Sequence, residues 1–384
     1  MAEPLKNIYS KAFFENLMNS IQQVIPTFDD KAFLAQLFDA TWEQRELKQR
    51  MRHISTTLEM HLKGDYKTQV NSLLKIMQQL EKEEVKVASF EWMFFPDFVE
   101  CFGLKDYETS IEAIEKITQF VTAEFAIRPY ILQQPDRTIK MMKKWAKHKH
   151  WGVRRLATEG CRPRLPWAMA LPFLKKNPAP ILSILEKLKN DSSESVRRSV
   201  ANNLNDIAKD NPLVVIDLVK KWKGESPEVN WVVKHASRTL LKQGNQEMMR
   251  LFGFGSVEDI TIANFKIQTP IVYIGDYFSF HFDLINKSSN TTKIRLEYGL
   301  YYQKANGTLS RKVFSISEKE YAGNSTTNIQ RRQPFKVITT RKFHVGLHQV
   351  ALIINGVELE KYDFKLAINY AAPKSKVSKC KNGS

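Results

Sequence analysis

Acidic side chains recur in the middle of the chain at positions where helices would bring them together. Glu159 stands four residues after Arg155, and Asp206 stands four residues after Asn202. Residues at this spacing share one face of a helix. Carboxylates that lie close together can act as general acids or bases and can stabilise a positive charge that develops during a reaction. The pattern is compatible with acid–base chemistry of this kind.

A third acid, Glu124, lies about one repeat before Glu159. Phe120 and Arg128 stand four residues on either side of Glu124, and this spacing predicts one helix that carries all three. Three carboxylates at corresponding turns of adjacent helices would converge on one groove. A single acid in a repeat is most simply a helix cap or an inter-repeat ion pair, but three in matched register put a catalytic role on an equal footing.

The elements that must position these acids are helical repeats. A Val-Arg-Arg unit occurs at residues 153–155 and 196–198, with a looser copy at 233–235, so the interval is about 40 residues. Intervals of this length are typical of HEAT-type helix pairs. Such pairs stack because one pair alone cannot bury its apolar face. The sequence therefore predicts a mainly α protein built around an α-solenoid.

The chain is strongly basic. Its 58 lysine and arginine residues outnumber its 41 aspartate and glutamate residues, which gives a formal net charge of +17. This balance favours a polyanionic partner, nucleic acid or a membrane surface. Basic residues interleaved with tryptophan inside the repeats favour nucleic acid. The predicted phosphate contacts are Arg154, Arg155, Arg197 and Arg198, although some of these arginines would brace neighbouring repeats instead.

Cysteine and histidine usage argues against a metal site. Cys101, Cys161 and Cys380 are too few and too scattered for a disulfide framework or a zinc cluster, and they fit a reducing cytoplasm. His148 and His150 would point to different faces of a helix, and no cysteine or carboxylate pattern completes a site. We therefore expect neither metal nor cofactor. The first residues lack a signal-peptide core, and no run approaches the roughly 18 apolar residues that span a membrane.

Hydrophobic periodicity divides the chain into two domains and a tail. Residues 1–252 are predicted to form the helical-repeat domain. The helical pattern decays after Gln243, and hydrophobic residues then alternate with polar ones, most clearly at 277–285. Seven or eight short strands within residues 258–370 predict an all-β immunoglobulin-like sandwich. The later strands are predicted at 313–317, 335–338, 350–354 and 362–368. Residues 371–384 form a basic tail that is predicted to be disordered.

A basic stripe runs along the helix predicted at residues 41–62. Its polar side carries Arg45, Lys48, Arg52 and His53. A stripe of this kind is usually a solvated face, and we prefer that interpretation to a binding role.

The central motifs resemble those of a known family. HWGVRRLATEGCRPRLPW and ESVRRSVANNLNDIAKDNP look like the AlkC/AlkD superfamily of bacterial alkylpurine DNA glycosylases. The N-terminal LKQRMRHISTTLEMHL and the added β-domain make the chain resemble the AlkC branch rather than AlkD. The resemblance covers nearly the whole chain, and it implies a HEAT-like-repeat enzyme whose immunoglobulin-like domain helps to embrace DNA.

The same resemblance implies an activity and a set of site residues. The expected protein is a monomeric, monofunctional glycosylase of base excision repair. It would excise cationic N-alkylated bases, typified by 3-methyladenine and 3-methylcytosine, from double-stranded DNA without conventional base flipping. By motif the catalytic acids are Glu124, Glu159 and Asp206, and Trp167 is the aromatic residue beside the lesion.

A non-catalytic HEAT scaffold that binds DNA or an acidic protein is the alternative. In that case the three acids would be caps or ion pairs, and the β-domain would be a second interaction module. Release of a base from alkylated DNA distinguishes the two hypotheses. A lyase with a lysine nucleophile has no support, because no lysine is isolated in an apolar stretch that would lower its pKa.

Overall fold

The computed structural model describes residues 4–337 and 342–368. The chain divides after Arg238 into a helical unit and a second unit that holds all the described strands. The predicted succession of an α-solenoid and an all-β sandwich is confirmed. The basic tail at 371–384 lies outside the described residues.

Sixteen α-helices lie in the described part of the chain. They are α1 Lys11–Val24, α2 Asp30–Leu37, α3 Leu47–His61, α4 Tyr66–Lys82, α5 Phe94–Phe102, α6 Tyr107–Phe120, α7 Ile127–Gln133, α8 Pro135–Trp145, α9 Trp151–Glu159, α10 Pro172–Lys176, α11 Ala179–Leu188, α12 Glu194–Ile207, α13 Pro212–Trp222, α14 Pro227–Ala236, α15 Arg238–Lys242 and α16 Gln246–Leu251. Short 3-10 helices occupy Leu5–Ile8, Trp42–Gln44 and Phe90–Met93. None of the helices in residues 4–337 and 342–368 is long and apolar enough to cross a membrane.

Local sequence signals set the helix starts. The carboxylates of Asp65 and Asp106 accept hydrogen bonds from backbone amides three residues on, which caps α4 and α6. Pro135, Pro212 and Pro227 occupy the first turns of α8, α13 and α14, where a missing amide proton costs nothing. α8 contacts α9, α11 contacts α12 and α13 contacts α14, while α12 packs between α9 and α14. The second helices of successive pairs therefore stack side by side.

Two buried tryptophans link helices of neighbouring pairs. Trp145 ends α8, and its indole Nε1 donates to Glu115 at 2.5 Å. Trp222 ends α13, and its indole donates to Glu186 at 2.7 Å. Both rings are almost completely buried, so they belong to the core and leave the polar face of the repeats to other residues.

The basic stripe at residues 45–53 is at least partly exposed to solvent, as predicted for a solvated face, and its cations also contact other parts of the protein. Arg52 forms two hydrogen bonds of 2.9 Å with the carboxylate of Asp97 on α5. Arg45 pairs with Asp39, with nitrogen–oxygen distances of 2.6 and 2.7 Å. Lys48 donates a hydrogen bond to the backbone carbonyl oxygen of Trp167. The acceptors of Arg52 and Lys48 come from parts of the chain distant in sequence, so charge spacing on α3 alone does not reveal them.

The second unit contains a β-sandwich. Its strands are β1 Ile260–Ile267, β2 Ile271–Tyr273, β3 Tyr277–Asn286, β4 Thr292–Gln303, β5 Leu309–Tyr321, β6 Ser325–Pro334, β7 Gly346–Ile354 and β8 Val357–Ala367. One sheet has the order β1-β3-β6 and the other β2-β8-β7-β4-β5. Alternate residues of β3, namely Phe278, Phe280, Phe282 and Leu284, are completely buried, because successive side chains of a strand point to opposite faces.

The strand predicted at 335–338 is wrongly placed. The structure puts β6 immediately before that segment, and Ile329 is the one buried residue within β6. A strand this polar carries no alternating hydrophobic signal. Phe335 is fully buried but follows the strand, and Ile338 lies outside the described residues.

Two glycines bring backbones into direct contact inside the second unit. Gly244 precedes α16, and Gly356 lies in the turn between β7 and β8. Both have left-handed φ angles, of 73° and 81°. A Cβ on Gly244 would lie 2.5 Å from the carbonyl oxygen of Gly356, so side chains are excluded here. The α16 segment is thereby docked on the β-sandwich.

Candidate active site

The helix α9 positions Glu159. His150 caps its start through Nδ1, which accepts from the backbone amide of Gly152 at 3.1 Å. Gly152 allows α9 to lie close to α6, since a Cβ there would be 2.7 Å from the carbonyl oxygen of Thr118. Arg155 and Glu159 follow on one face of the helix, as their spacing predicts.

Both carboxylate oxygens of Glu159 accept hydrogen bonds. Arg162 donates from Nη1 to Oε1 at 2.6 Å. Ser199, on α12, donates from Oγ to Oε2 at 2.6 Å. Glu159 is only 5% exposed, so its carboxylate is enclosed and its orientation is fixed by two different elements.

Asp206 meets the same arginine from the neighbouring repeat. Arg162 donates from Nε to Oδ2 of Asp206 at 2.8 Å, and Lys209 donates to Oδ1 at 2.9 Å. Asp206 is 2% exposed. Burial disfavours the charge of Arg162, but Glu159 and Asp206 outweigh it and hold the pKa of Arg162 above its ordinary value. Arg162 thus joins α9 and α12 through two buried ion pairs.

Glu124 reaches the same cluster from a turn. The structure places it between α6 and α7, not within a helix as its four-residue spacing predicts, because α6 ends at Phe120. Its Oε2 accepts from Arg155 Nη1 at 2.6 Å and from the hydroxyl of Thr122. The side chain of Glu124 is 13% exposed.

Alternating charges connect the three predicted acids. We define the acid–arginine chain as Glu124, Arg155, Glu159, Arg162 and Asp206. Arg155 Nη2 lies 3.9 Å from Oε1 of Glu159, which completes the link from Glu124 to Asp206. Although burial acts against it, the charges of Glu124 and Glu159 hold the pKa of Arg155 above its ordinary value. Paired charges of this kind can remain ionised in a buried setting, whereas loss of one partner leaves an uncompensated charge.

A buried thiol and amide lie beside this chain. Asn203 of α12 donates from Nδ2 to the carbonyl of Thr158 at 2.8 Å and to Sγ of Cys161 at 3.4 Å. The Cys161 thiol in turn contacts the carbonyl oxygen of Ala157 at 3.2 Å. Burial raises the pKa of Cys161 to about 12. The thiol is therefore a packing group in the α9–α12 interface.

Trp167 lies on the loop that follows α9, and its side chain is exposed. The residue is 64% exposed to solvent. Arg128, which is completely buried on α7, donates to the carbonyls of Gly160 and Arg162 at 2.9 Å and to that of Met169 at 2.7 Å. Burial lowers the pKa of Arg128 to about 10. This loop is thus anchored on both sides of an exposed aromatic ring.

Three of the four predicted phosphate-binding arginines are engaged within the protein. Arg155 pairs with Glu124, as described above. Arg154 forms a two-point contact with Asp191, at 2.6 and 2.9 Å. Arg197 donates to the carbonyls of Asp191 and Ser192 at 2.6 and 3.1 Å. Burial acts to raise the pKa of Asp191, but its bonds to Arg154 and to the Ser193 amide lower it overall. These contacts brace α9 against the start of α12.

Arg198 differs from them because it is open to solvent. Its side chain is 57% exposed and pairs with Glu194 one turn earlier on α12. Its guanidinium lies 5.8 Å from the ring centroid of Trp231, which stacks on His235 with centroids 5.1 Å apart. Burial, followed by the charges of Arg238 and Arg198, lowers the pKa of His235. Arg198 therefore belongs to an exposed basic and aromatic patch.

The structure brings all three predicted acids together. Their site also contains residues that the sequence pattern did not indicate. Arg162 is the most important, because it contacts two of the acids. Its position three residues after Glu159 and within the CRPRLPW motif was a usable signal. Ser199 and Arg128 gave no comparable signal, since their partners lie in other helices or are backbone carbonyls. In the described ranges, no group of three or more His, Cys, Asp or Glu side chains is placed to hold a metal ion.

Stacked helix pairs carrying a buried acid–arginine chain, with a separate sandwich, define a HEAT-like-repeat protein with an immunoglobulin-like domain. The chain belongs to the DNA alkylation repair enzyme family, whose profile matches residues 44–244. Residues 261–368 match the family described as uncharacterised protein YhaZ, C-terminal Ig-like domain.

Two relatives align over nearly the whole chain. Uncharacterized protein YhaZ of Bacillus subtilis is 38% identical over 362 residues, which are 94% of this chain and 99% of that protein. The solved structure of Pseudomonas fluorescens alkylpurine DNA glycosylase AlkC, bound to DNA containing an abasic site analog, matches with a TM-score of 0.89 and 33% identity. That match covers 95% of this chain and 100% of the other. The predicted AlkC-type resemblance is confirmed.

Proposed function

We propose that this protein is a monofunctional DNA glycosylase that hydrolyses the N-glycosidic bond of cationic N-alkylated bases in double-stranded DNA. The expected substrates are typified by 3-methyladenine and 3-methylcytosine. The observation that carries this proposal is the pair of buried acids Glu159 and Asp206, held in neighbouring repeats by Arg162. The similarity to an alkylpurine DNA glycosylase supports it.

The chemistry follows from charge. A cationic alkylated base is already a good leaving group, and its departure leaves an oxocarbenium-like sugar that carboxylates stabilise. Fixed charges in an enclosed site are effective because they need no reorganisation during the reaction. Glu159 and Asp206 provide such fixed charges, because each is held by one bond to Arg162 and by a second bond, to Ser199 or to Lys209. Hydrolysis would leave an abasic site in an intact strand.

The three acids differ in access to solvent, and we assign their roles accordingly. Side-chain exposure falls from 13% for Glu124 to 7% for Glu159 and 2% for Asp206. Glu124 is therefore the acid best placed to orient the attacking water. Glu159 would stabilise the sugar cation directly, and Asp206 would act mainly through Arg162.

Exposed groups around the acids would contact DNA. The Trp167 face would attract a cationic base by a cation–π interaction. Its exposure suits a lesion that is contacted from the duplex surface, without transfer into a closed pocket. Arg198 is the predicted phosphate-binding arginine whose exposure best suits that role. Arg154 and Arg197 would support it indirectly by bracing α12.

The test is release of methylated bases from duplex DNA by the purified protein, followed by chromatography of the free base. We expect release that EDTA does not inhibit and a strand that breaks only after alkali. Glu159→Gln is expected to abolish most of this activity. The matched control is Glu186→Gln, which removes a carboxylate bonded to Trp222 and is expected to affect stability alone. DNA binding without base release by the wild-type protein would instead support the scaffold alternative.

A further inference from the structure

The backbone of Trp167 is strained. Its φ angle is +65°, in the left-handed region that bulky residues rarely occupy. The side chain is exposed, so packing of the ring in the core cannot offset the strain of this backbone conformation. Such strain persists only where surrounding contacts determine the backbone, and it concentrates at functional sites. The contacts that hold the Trp167 backbone therefore determine where its ring lies.

Cationic side chains hold this loop by its carbonyl oxygens. The Arg128 guanidinium donates hydrogen bonds to the carbonyl oxygens of Arg162 and Met169, which lie on either side of Trp167. The Lys48 ammonium donates a hydrogen bond to the carbonyl oxygen of Trp167 itself, with Nζ 2.8 Å from that oxygen. Lys48 comes from the first turn of α3, more than a hundred residues earlier in the chain. A hydrogen bond at this carbonyl favours one orientation of the peptide that follows Trp167.

The same ammonium contacts the turn that carries Glu124. Lys48 Nζ lies 5.0 Å from the ring centroid of Phe125, the residue after Glu124. An ammonium at this distance from an aromatic face is attracted to it. Arg52, one turn later on α3, fixes the helix through its two bonds to Asp97. Lys48 is therefore presented from an anchored helix to both the Trp167 loop and the Glu124 turn.

We propose that Lys48 is a positioning residue for excision, which fixes the exposed Trp167 ring relative to Glu124 by bonding the Trp167 carbonyl while resting against Phe125. This inference rests on the proposed glycosylase function. Lys48 acts through the loop backbone and not on the lesion. Losing it frees the peptide after Trp167 and lets the ring change its position relative to the Glu124 turn. Misplacement of a positioning group by about 1 Å can cost about 100-fold in rate.

The test compares Lys48→Met with Lys48→Arg by single-turnover excision at saturating protein. We expect Lys48→Met to lower the rate constant by about 10- to 100-fold. Affinity for an abasic-site duplex and the melting temperature are expected to change little. Lys48→Arg, which can still bond the carbonyl, is expected to recover most of the rate. The control is Lys75→Met, at an exposed lysine of α4, which is expected to match the wild type.

A double-mutant cycle with Trp167→Ala, which removes the aromatic ring, separates positioning from an independent effect. If Lys48 acts through Trp167, adding Lys48→Met to Trp167→Ala should cost much less than it costs alone. Equal losses in both backgrounds would overturn the proposal. So would an unchanged rate constant accompanied by weaker binding and a lower salt dependence, which would mark Lys48 as a phosphate contact.

One readout does not depend on excision. The fluorescence of Trp167 in the free protein is obtained as the difference between each variant and its Trp167→Phe counterpart. Lys48→Met is expected to change the quenching of that signal by acrylamide. If the wild-type protein releases no base, the proposed function fails, yet this measurement still tests Lys48. Identical quenching with and without Lys48 would overturn the positioning role by itself.

Discussion

Ser199 donates a hydrogen bond of 2.6 Å to Glu159 across the interface between α12 and α9. A hydroxyl from one repeat thus orients the carboxylate of the preceding repeat. Arg162 holds the other oxygen of the same carboxylate. Glu159 is therefore oriented in the free protein, as electrostatic stabilisation of a transition state requires.

Glu159→Gln keeps the shape of the side chain and removes its charge. We expect single-turnover excision to fall by about 10²–10³, which corresponds to roughly 2.7–4 kcal/mol, by analogy with loss of one oxyanion-hole donor. The amide oxygen can accept from Arg162, the amide nitrogen can donate to the Ser199 hydroxyl, and Asp206 still balances the charge of Arg162, so the melting temperature should change little. The loss should be smaller for lesions with a more labile glycosidic bond. A lower melting temperature with normal excision per folded molecule would show that Glu159 is a structural ion-pair partner.

Arg162→Met is expected to destabilise the helical unit by about 3–5 kcal/mol near pH 7, since it leaves Glu159 and Asp206 buried with too little positive charge. Chemical denaturation followed by helical circular dichroism measures this deficit. Arg164→Met is the control, because Arg164 pairs with Asp210 at the surface and such pairs contribute about 0–1 kcal/mol. Equal deficits for both variants would contradict the special role of Arg162.

His235 predicts a pH dependence of stability. Its folded pKa lies below its unfolded value of about 6.5, so the unfolded chain binds more protons between the two values. Stability is therefore lost as the pH falls below about 6.5, until the folded pKa is reached. His235→Gln should reduce the difference in melting temperature between pH 7.5 and pH 5.5, as followed by helical circular dichroism. An undiminished difference would show that other groups dominate this window.

Replacing Arg198 should mainly affect DNA binding, whereas replacing Arg154 should mainly affect the stability of the fold. Arg198→Met is expected to weaken DNA binding and to reduce the slope of log affinity against log salt by about 1, with little effect on stability. Arg154→Met leaves the carboxylate of Asp191 without its two-point partner and should cost on the order of 1–3 kcal/mol of stability. Binding titrations at several salt concentrations, beside unfolding curves, would measure both. Reversed effects would mean that Arg154 is the phosphate contact.

Truncation tests the predicted domain boundary near residue 252. Within the second unit, Lys293 donates to the carbonyl of Phe252 at 2.9 Å, and Met248 and Met249 on α16 are buried. A chain that ends at Gly255 keeps α16 but loses the strands, so those methionines should become exposed and promote aggregation. A chain that ends after Arg238 should remain soluble and helical, with weaker DNA binding. Light scattering would compare the aggregation of the two fragments, and circular dichroism would compare their helix content. Equal solubility would contradict a domain boundary after Arg238.

The sequence allowed the acids to be found because helical geometry is local. Arg155 and Glu159 share a face of α9 through their spacing alone, and repetition of the motif located Asp206. The same rule failed for Glu124, since α6 stops at Phe120 before reaching it. A four-residue spacing is informative only when the intervening backbone stays helical.

Contacts made through the backbone or between distant elements could not be predicted. Lys48 and Arg128 bind carbonyl oxygens, and every residue type supplies a carbonyl, so no sequence pattern marks the acceptor. In the sandwich, β3 was evident from alternating phenylalanines, whereas β6 was not, because its side chains are mostly polar. Pairing with β3 defines that strand, and pairing is a property of the folded chain.

The enclosed thiol of Cys161 bears on the chemical reactivity of the protein. Thiolates are among the nucleophiles that electrophilic alkylating reagents attack. Burial raises the pKa of Cys161 to about 12, so its sulfur is both enclosed and un-ionised at neutral pH. The fold thereby keeps this sulfur from acting as a nucleophile, whereas Cys101 is only partly buried.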